Sequence, residues 1–160
     1  MSKISEKLGT IDALKEDAMK AAKKNITVID GLGGGIGAEL ISRLKEIQEV
    51  AAAAEITALG SNAVATERMV NAGATRGASG ENAISVSARS ADFILGPIGI
   101  IIANSMMGEI TQGIANAVLS APGKRIVLPL QNDHFTLAGV EGLSLSKMIE
   151  KAVEAVRKEL

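Results

Sequence analysis

Residues 28–40, VIDGLGGGIGAEL, decide the fold, because five glycines within seven positions separate an apolar run from an amphipathic one. Glycine has more backbone freedom to lose on folding than any other residue, so such a cluster indicates that the backbone itself approaches something closely. The β-branched run before the glycines predicts a buried strand. Apolar side chains at positions 36, 40, 41, 44, 47 and 50 share one face of a helix. The stretch therefore predicts a strand that turns tightly into the N-terminus of a helix.

The rest of the chain continues this alternation of strands and helices. EITALG (55–60) closes a βαβ unit, and DFILG (92–96) and KRIVLPL (124–130) predict further strands. ATRGA (74–78) is at most a short strand, and FTLAGVE (135–141) is interpreted as a strand at the sheet edge. Helices are predicted between the strands and at residues 144–160, with Ser61 and Ser79 as N-caps. Pro97 is predicted to begin a helix that Gly108 ends, and Thr111 to begin the next one.

Strands that alternate with helices form a mostly parallel sheet covered on both faces, and right-handed crossovers favour a doubly wound order. We therefore predict an α/β fold, a three-layer α/β/α sandwich around a Rossmann-like, mostly parallel, doubly wound sheet of about five to six strands. Residues 26–160 are predicted to form this domain. Residues 1–25 are predicted to be a helical N-terminal extension, interrupted at Gly9 and Thr10, which packs on the domain or on another chain.

The composition argues against several classes of function. The chain has 160 residues, a net charge of −1, two Phe and neither Trp nor Tyr, so it lacks the stacking platforms and basic patches of nucleic-acid-binding proteins. With no Cys and one His, disulfides, thiolate catalysis and an ordinary zinc site are not expected. No signal peptide is predicted, and the most apolar stretch, residues 93–103, is too short to cross a bilayer. We expect a cytoplasmic protein with no nucleic-acid, membrane or metal partner.

The glycines match two dinucleotide-binding patterns. Gly31, Gly35 and Gly37 have the G-x-x-x-G-x-G spacing that resembles short-chain dehydrogenases, and Gly33, Gly35 and Ala38 fit the pattern G-x-G-x-x-A. Both patterns place backbone amides and the positive end of a helix dipole against a phosphate, which favours NAD or NADP as the ligand. The alternative is a glycine turn that is needed only for close packing of the helix on the strand.

Two neighbouring features depart from the NAD pattern. The second strand is followed by Ser61 and Asn62, where an NAD enzyme carries an Asp or Glu that binds the ribose hydroxyls. These two residues could border a 2′-phosphate with Arg68 as a partner, or Ser61 could be only a helix cap. Asp30 directly precedes the glycines, and its carboxylate would repel a phosphate unless it is otherwise bound. We favour bracing of the loop amides or contact with a ribose over a metal ion as its role.

The other loops that follow predicted strands are polar as well. ASGEN (78–82), GPIG (96–99) and QNDH (131–134) share the carboxyl edge of a parallel sheet with the glycine loop, which is the usual place for a ligand. Asn104 and Ser105, in the helix predicted after Pro97, either line the pocket or satisfy the backbone. The residues predicted to bind the ligand are Asp30, Gly31, Gly33, Gly34, Gly35, Ile36, Gly37, Ser61, Asn62, Gly80, Glu81, Asn82, Gly96, Pro97 and Asn104.

The motifs VIDGLGGGIG, ALGSNAVAT, GASGENAI and GPIGIIIANSMMGEIT resemble a family of short bacterial proteins, chiefly from anaerobes, that is classed as a domain of unknown function. The resemblance rests mainly on residues 26–111. It implies a compact Rossmann-like domain with a nucleotide site at residues 31–37, and it implies no particular activity. The first 25 residues lie outside the resemblance, because members of the family begin near the first strand.

Three functions follow as hypotheses. The first is binding of a nucleotide or another small phosphorylated ligand. The second is a small NAD(P)-dependent oxidoreductase. Because the chain has no Tyr, the Tyr-x-x-x-Lys chemistry of short-chain dehydrogenases is excluded, and His134 is the one candidate acid–base residue near neutral pH, with Asp133 and Glu81 as candidate partners. The third is a structural or regulatory subunit that forms a homo-oligomer through its terminal helices.

Overall fold

The computed structural model describes residues 3–20, 22–132 and 135–160, which form five strands and seven α-helices. The strands are β1 (Lys24–Asp30), β2 (Ala54–Gly60), β3 (Arg76–Ser79), β4 (Phe93–Pro97) and β5 (Lys124–Leu128). The helices are α1 (Lys3–Lys20), α2 (Gly35–Glu46), α3 (Gln48–Ala53), α4 (Ala63–Asn71), α5 (Glu81–Ser87), α6 (Gln112–Ser120) and α7 (Leu145–Arg157).

The five strands form one sheet in the order β3-β2-β1-β4-β5. All four strand pairings are parallel, and Val28 at the centre of β1 lies opposite Ala58 of β2 and Leu95 of β4. The chain moves from β1 outward to β3, then returns to β4 on the other side of β1. The strand order therefore reverses between β1 and β4, and in open α/β sheets a crevice for ligands forms at such a point.

Helices cover both faces of this sheet. On one face, α2, α4 and α7 bury an aliphatic cluster against the strands, with the central members Leu40, Leu44, Met69, Val153 and Val156. On the other face, α5 and α6 bury a second cluster around Ile84, Ile114 and Val118. The predicted three-layer, Rossmann-like α/β sandwich with a parallel, doubly wound sheet is confirmed.

Two predicted elements are wrong. Residues 135–141 form no strand, and the sole β contact described there is an isolated bridge between Asn132 and Phe135. Pro97 ends β4 instead of starting a helix, and the segment after it contains only the 3₁₀ turns Ile98–Ile101 and Met106–Gly108. Asn104, Met106 and Met107 have positive φ angles, and left-handed residues interrupt the hydrogen bonding that a continuous helix needs.

Several local details also differ from the sequence-based expectation. α1 runs through Gly9 and Thr10 without a break, and the Thr10 hydroxyl donates to the Glu6 carbonyl within the helix. The cap of α4 is Asn62, whose side chain accepts from the Ala65 amide, and not Ser61. Gly80, which has no side chain to accept a bond, takes the position predicted for Ser79. Thr111 caps α6 as predicted. None of the described helices is long and apolar enough to cross a membrane.

A matched pair of leucine truncations tests where the fold gains its stability. Leu44 on α2 is fully buried, so Leu44→Ala is expected to lower the free energy of unfolding by about 2–5 kcal/mol. Leu8 on α1 is 55% exposed, and Leu8→Ala is expected to change it by less than about 0.5 kcal/mol. Urea denaturation of the two variants measures both values. A large loss in Leu8→Ala would show that α1 contributes to the core.

Candidate functional site

A cavity of about 680 Å³ opens at the carboxyl edge of the sheet, where the strand order reverses. Its walls are the glycine loop after β1, the segment after β4, the segment after β5 and the first turns of α7. The residues that line it include Asp30, Gly31, Gly33, Gly34, Gly35, Ile36, Pro97, Ile98, Leu130, Phe135, Leu145 and Ile149. Ligand sites are typically clefts of about 300–1,000 Å³, so the cavity has the size and the place of such a site.

The glycines of the loop have two different reasons to be glycine. Gly34 has a φ of +67°, and a Cβ there would lie 2.7 Å from the backbone of Ala65 in α4. A Cβ at Gly37 would collide with Met69 and Asp30, so both glycines allow close packing of the elements. In contrast, a Cβ at Gly33 or Gly35 would meet only the guanidinium of Arg68, at 3.7 Å and 3.4 Å. Packing therefore explains Gly34 and Gly37, but it does not explain Gly33 and Gly35.

The amides of the loop divide in the same way. Those of Gly31 and Gly37 donate to the carboxylate of Asp30, each at 2.8 Å, and that of Gly34 donates to the Gly31 carbonyl. Within the described part of the chain, the amides of Gly33 and Gly35 donate to no protein group. Gly33 and Gly35 lie at the N-terminus of α2, and both residues line the cavity. The loop thus offers a ligand two backbone donors at the positive end of a helix dipole.

Asp30 braces the loop from inside. Its carboxylate is buried, and burial raises its pKa above the ordinary aspartate value, while the amide bonds from Gly37 and Gly31 act in the opposite direction. The nearby charge of Glu109 also raises the pKa of Asp30. Each of its two carboxylate oxygens accepts a hydrogen bond from a loop amide. These are the contacts expected if Asp30 holds the loop in place, the role that we favoured from the sequence.

Glu109 does not line the cavity itself, but it contacts the glycine loop that does, and sequence reasoning missed it. One of its carboxylate oxygens, Oε2, accepts hydrogen bonds from the Leu32 amide at 2.7 Å, from the Asn62 side chain at 2.9 Å and from the Ser61 hydroxyl. The bond from Ser61 is the main cause that lowers the pKa of Glu109 below the ordinary glutamate value. Glu109 follows a segment that was predicted to be helical, and no local pattern indicated that it would reach the end of β2.

Arg68 supplies the positive charge nearest to the loop. It extends from the exposed side of α4, and its Nη1 donates to the Gly33 carbonyl at 3.3 Å. Its guanidinium therefore lies beside the free amides of Gly33 and Gly35. The sequence suggested Arg68 only as a partner for a 2′-phosphate at Ser61 and Asn62, but Glu109 occupies that position.

The structure brings some of the predicted residues together and leaves others apart. Gly96 is buried within β4 against the Ile29 carbonyl. The predicted residues that do not line the cavity also include Gly37, Ser61, Asn62, Gly80, Glu81 and Asn82. Glu81 instead accepts a hydrogen bond from Thr111 at 2.5 Å, at the start of α6. Asn104 is exposed outside the cavity, with its amide bonded to the Ile110 carbonyl. The candidate catalytic residue His134, together with Asp133, lies outside the described residues.

A protein family model described as "Domain of unknown function (DUF3842)" matches residues 25–160, so the chain belongs to this family, as its motifs indicated. No curated protein sequence matches the chain.

Three solved structures are similar to the chain at low identity. A dodecameric FMN-dependent UbiX-like decarboxylase from Escherichia coli O157:H7 has 14% identity and a TM-score of 0.46, with 85% of this chain and 93% of that chain covered. A nucleoside-diphosphate-sugar epimerase from Pseudomonas aeruginosa has 11% identity and a TM-score of 0.42, with 86% and 48% covered. A universal stress protein in complex with cAMP has 20% identity and a TM-score of 0.38, with 66% and 97% covered.

The hydrogen bonds to Glu109 predict a pH-dependent contribution to stability. Because its pKa is lowered in the folded state, the contribution is present above the ordinary glutamate pKa of 4.5 and is lost as the pH falls through the folded value. Glu109→Gln should therefore be less stable than the wild type at neutral pH, and the difference should shrink as the pH falls below 4.5. Urea denaturation of both proteins across this range measures the effect. A difference that stays constant with pH would contradict it.

Proposed function

We propose that this member of the DUF3842 family binds a phosphorylated nucleotide, with a phosphate against the amides of Gly33 and Gly35. The observation that supports this most directly is that these two amides lack a protein acceptor within the described residues and line an open cavity. A phosphate oxygen would satisfy both donors and would lie at the positive end of the α2 dipole.

The charges around the loop favour one phosphate position. The N-terminus of α2 carries about half a positive charge, and the Arg68 guanidinium stands 3.4 Å from the position a Gly35 Cβ would take. Asp30 does not oppose the ligand directly, because its carboxylate is buried and turned to the amides of Gly31 and Gly37. A phosphate between α2 and Arg68 would thus meet the backbone amides at the N-terminus of α2 and the positive charge of the Arg68 guanidinium.

The rest of the cavity suits a flat, weakly polar group. Away from the loop, its walls are formed mainly by the apolar side chains Ile98, Leu130, Phe135, Leu145 and Ile149. Ligand pockets typically combine such apolar walls with a few polar groups that fix the orientation. A nucleotide has both parts, a phosphate for the amides and a base for the apolar wall, and NAD and NADP are the dinucleotide candidates.

A ligand screen tests the proposed function. Thermal unfolding is measured with NAD, NADP, ATP, GTP, CoA and FMN, and a true ligand present at 100 times its dissociation constant should stabilise the fold by about 2.7 kcal/mol. Calorimetry then measures the affinity of any ligand found. If none of these ligands stabilises the protein, nucleotide binding at this loop is contradicted.

Gly35→Val tests the phosphate position. Gly35 has an ordinary φ, and an added side chain would meet only the flexible end of Arg68, so the variant should fold normally but keep a phosphate away from the amides. We expect it to lose binding of the ligand found in the screen. Gly9→Val, which adds the same side chain on α1 where no atom lies within 4 Å, is the matched control. Full affinity in Gly35→Val would place the phosphate elsewhere.

Arg68→Gln tests the role of the cation. A hydrogen bond to a charged group contributes about 1.5–3 kcal/mol, so we expect the affinity to fall by at least about tenfold. Arg89→Gln removes the same charge from an exposed position on the turn Ala88–Ser90 and should leave the affinity unchanged. Equal affinities in the two variants would show that Arg68 does not touch the ligand.

A second candidate function, self-association, is favoured by α1. The described side chains of this helix, residues 4–16, are all exposed, and Ile4, Leu8, Ile11 and Leu14 form an apolar stripe along it. Acidic and basic side chains alternate around the stripe, at Glu6, Lys7, Asp12, Lys15 and Glu16, so a second copy of the helix could meet it with opposite charges. The apolar face of α7, in contrast, is buried against the sheet.

Light scattering tests this second function. The full chain is expected to form a dimer or larger assembly, and a chain without residues 1–20 is expected to be a monomer with an unchanged affinity for its ligand. If both proteins contain the same number of chains per assembly, self-association through α1 is contradicted.

A further inference from the structure

Glu109 brings a carboxylate to the end of β2, although the sequence at that strand has none. In dinucleotide-binding folds an Asp or Glu at this place binds the ribose hydroxyls, and here Ser61 and Asn62 stand there instead. Both of these residues donate to Oε2 of Glu109, which arrives from the segment after β4, 48 positions beyond Ser61 in the chain. The end of β2 therefore does have a carboxylate beside it, but that carboxylate comes from a distant part of the sequence.

The two oxygens of Glu109 are in different situations. Oε2 accepts three hydrogen bonds, from the Leu32 amide, the Ser61 hydroxyl and the Asn62 side chain, which fix its position. Oε1 accepts none from the described residues, and the side chain is only partly buried. A carboxylate held by one oxygen and open at the other is a good acceptor for a hydroxyl group of a ligand.

Glu109 also lies next to the proposed phosphate position. Leu32, whose amide binds Oε2, directly precedes Gly33, the first of the two free amides. A Cβ at Gly31 would lie 2.9 Å from Oε2, so the carboxylate rests directly on the glycine loop. In a nucleotide the ribose directly adjoins the 5′-phosphate, so a nucleotide with its phosphate at Gly33 and Gly35 would carry its ribose close to this part of the loop.

We infer that Glu109 accepts hydrogen bonds from the ribose hydroxyls of the bound nucleotide and selects an unmodified ribose over a 2′-phosphorylated one. This inference rests on the proposed function, because it assumes a phosphate at Gly33 and Gly35. A 2′-phosphate would be placed against the Glu109 carboxylate, and like charges repel. The site therefore favours NAD over NADP and a ribonucleotide over its 2′-deoxy form.

Calorimetry with four probes tests the inference: ADP, 2′-deoxy-ADP, adenosine 2′,5′-bisphosphate and inorganic pyrophosphate. The wild type is expected to bind ADP at least about tenfold more tightly than 2′-deoxy-ADP, the usual effect of a hydrogen bond to a charged group. It should bind the 2′,5′-bisphosphate more weakly still. Glu109→Gln, whose amide oxygen can still accept from Leu32, should lose most of these differences and bind pyrophosphate no more weakly than the wild type.

Glu67→Gln is the matched control, since it removes the same charge from an exposed position on α4 and should keep the wild-type preferences. If ADP and 2′-deoxy-ADP bind equally, and Gly35→Val abolishes both, the proposed function stands and the inference about Glu109 is overturned. In that case Glu109 serves only to hold the segment after β4. If none of the four probes binds, the proposed function and this inference both fail.

Discussion

The hydrogen bonds of Asp30 are the interaction on which the site depends. Asp30 is the last residue of β1, and its carboxylate binds the amides of Gly31, at the start of the loop, and of Gly37, in the first turn of α2. One buried side chain thus holds both ends of the loop and sets the direction in which α2 leaves the sheet. These bonds take up the amides of Gly31 and Gly37. Among the described residues the amides of Gly33 and Gly35 have no protein acceptor, and both glycines line the cavity. Burial raises the pKa of Asp30, and the amide bonds offset part of that effect.

A second set of hydrogen bonds, those of Glu109, joins the glycine loop to the segment after β4. Within the described residues, every non-glycine residue with a positive φ lies on one of the two segments that Glu109 connects: Leu32, Asn104, Met106 and Met107. Such conformations cost about 1–3 kcal/mol each and persist only where the surroundings enforce them. The three hydrogen bonds to Glu109 join the two segments, and backbone bonds such as that from the Asn104 amide to the Ile110 carbonyl hold the second one. They hold the segment across the end of β2, which a regular helix from Pro97 to Gly108 would not permit.

These contacts explain why two interpretations of the glycine-rich loop both have support. Close packing accounts for Gly34 against Ala65 and for Gly37 against Met69, whereas Gly33 and Gly35 have space beside them and amides without a protein acceptor. A spacing pattern counts all the glycines alike, because it records residue types and not their neighbours. Only the positions of α4 and Asp30 show which glycines serve the fold and which are open to a ligand.

The sequence by itself determined the order of strands and helices, the parallel sheet and the place of the glycine loop, because these follow from local apolar periodicity and from the rules of chain crossover. It also predicted that a helix begins at Thr111, which caps α6, whereas the caps that it predicted at Ser61 and Ser79 are wrong. Contacts between distant segments decided the rest. Apolar spacing after Pro97 predicted a helix, but Ile100 and Ile110 are buried by an irregular path through left-handed residues. The carboxylate at the end of β2 comes from Glu109, and a partner so far along the chain leaves no local pattern from which it could be predicted.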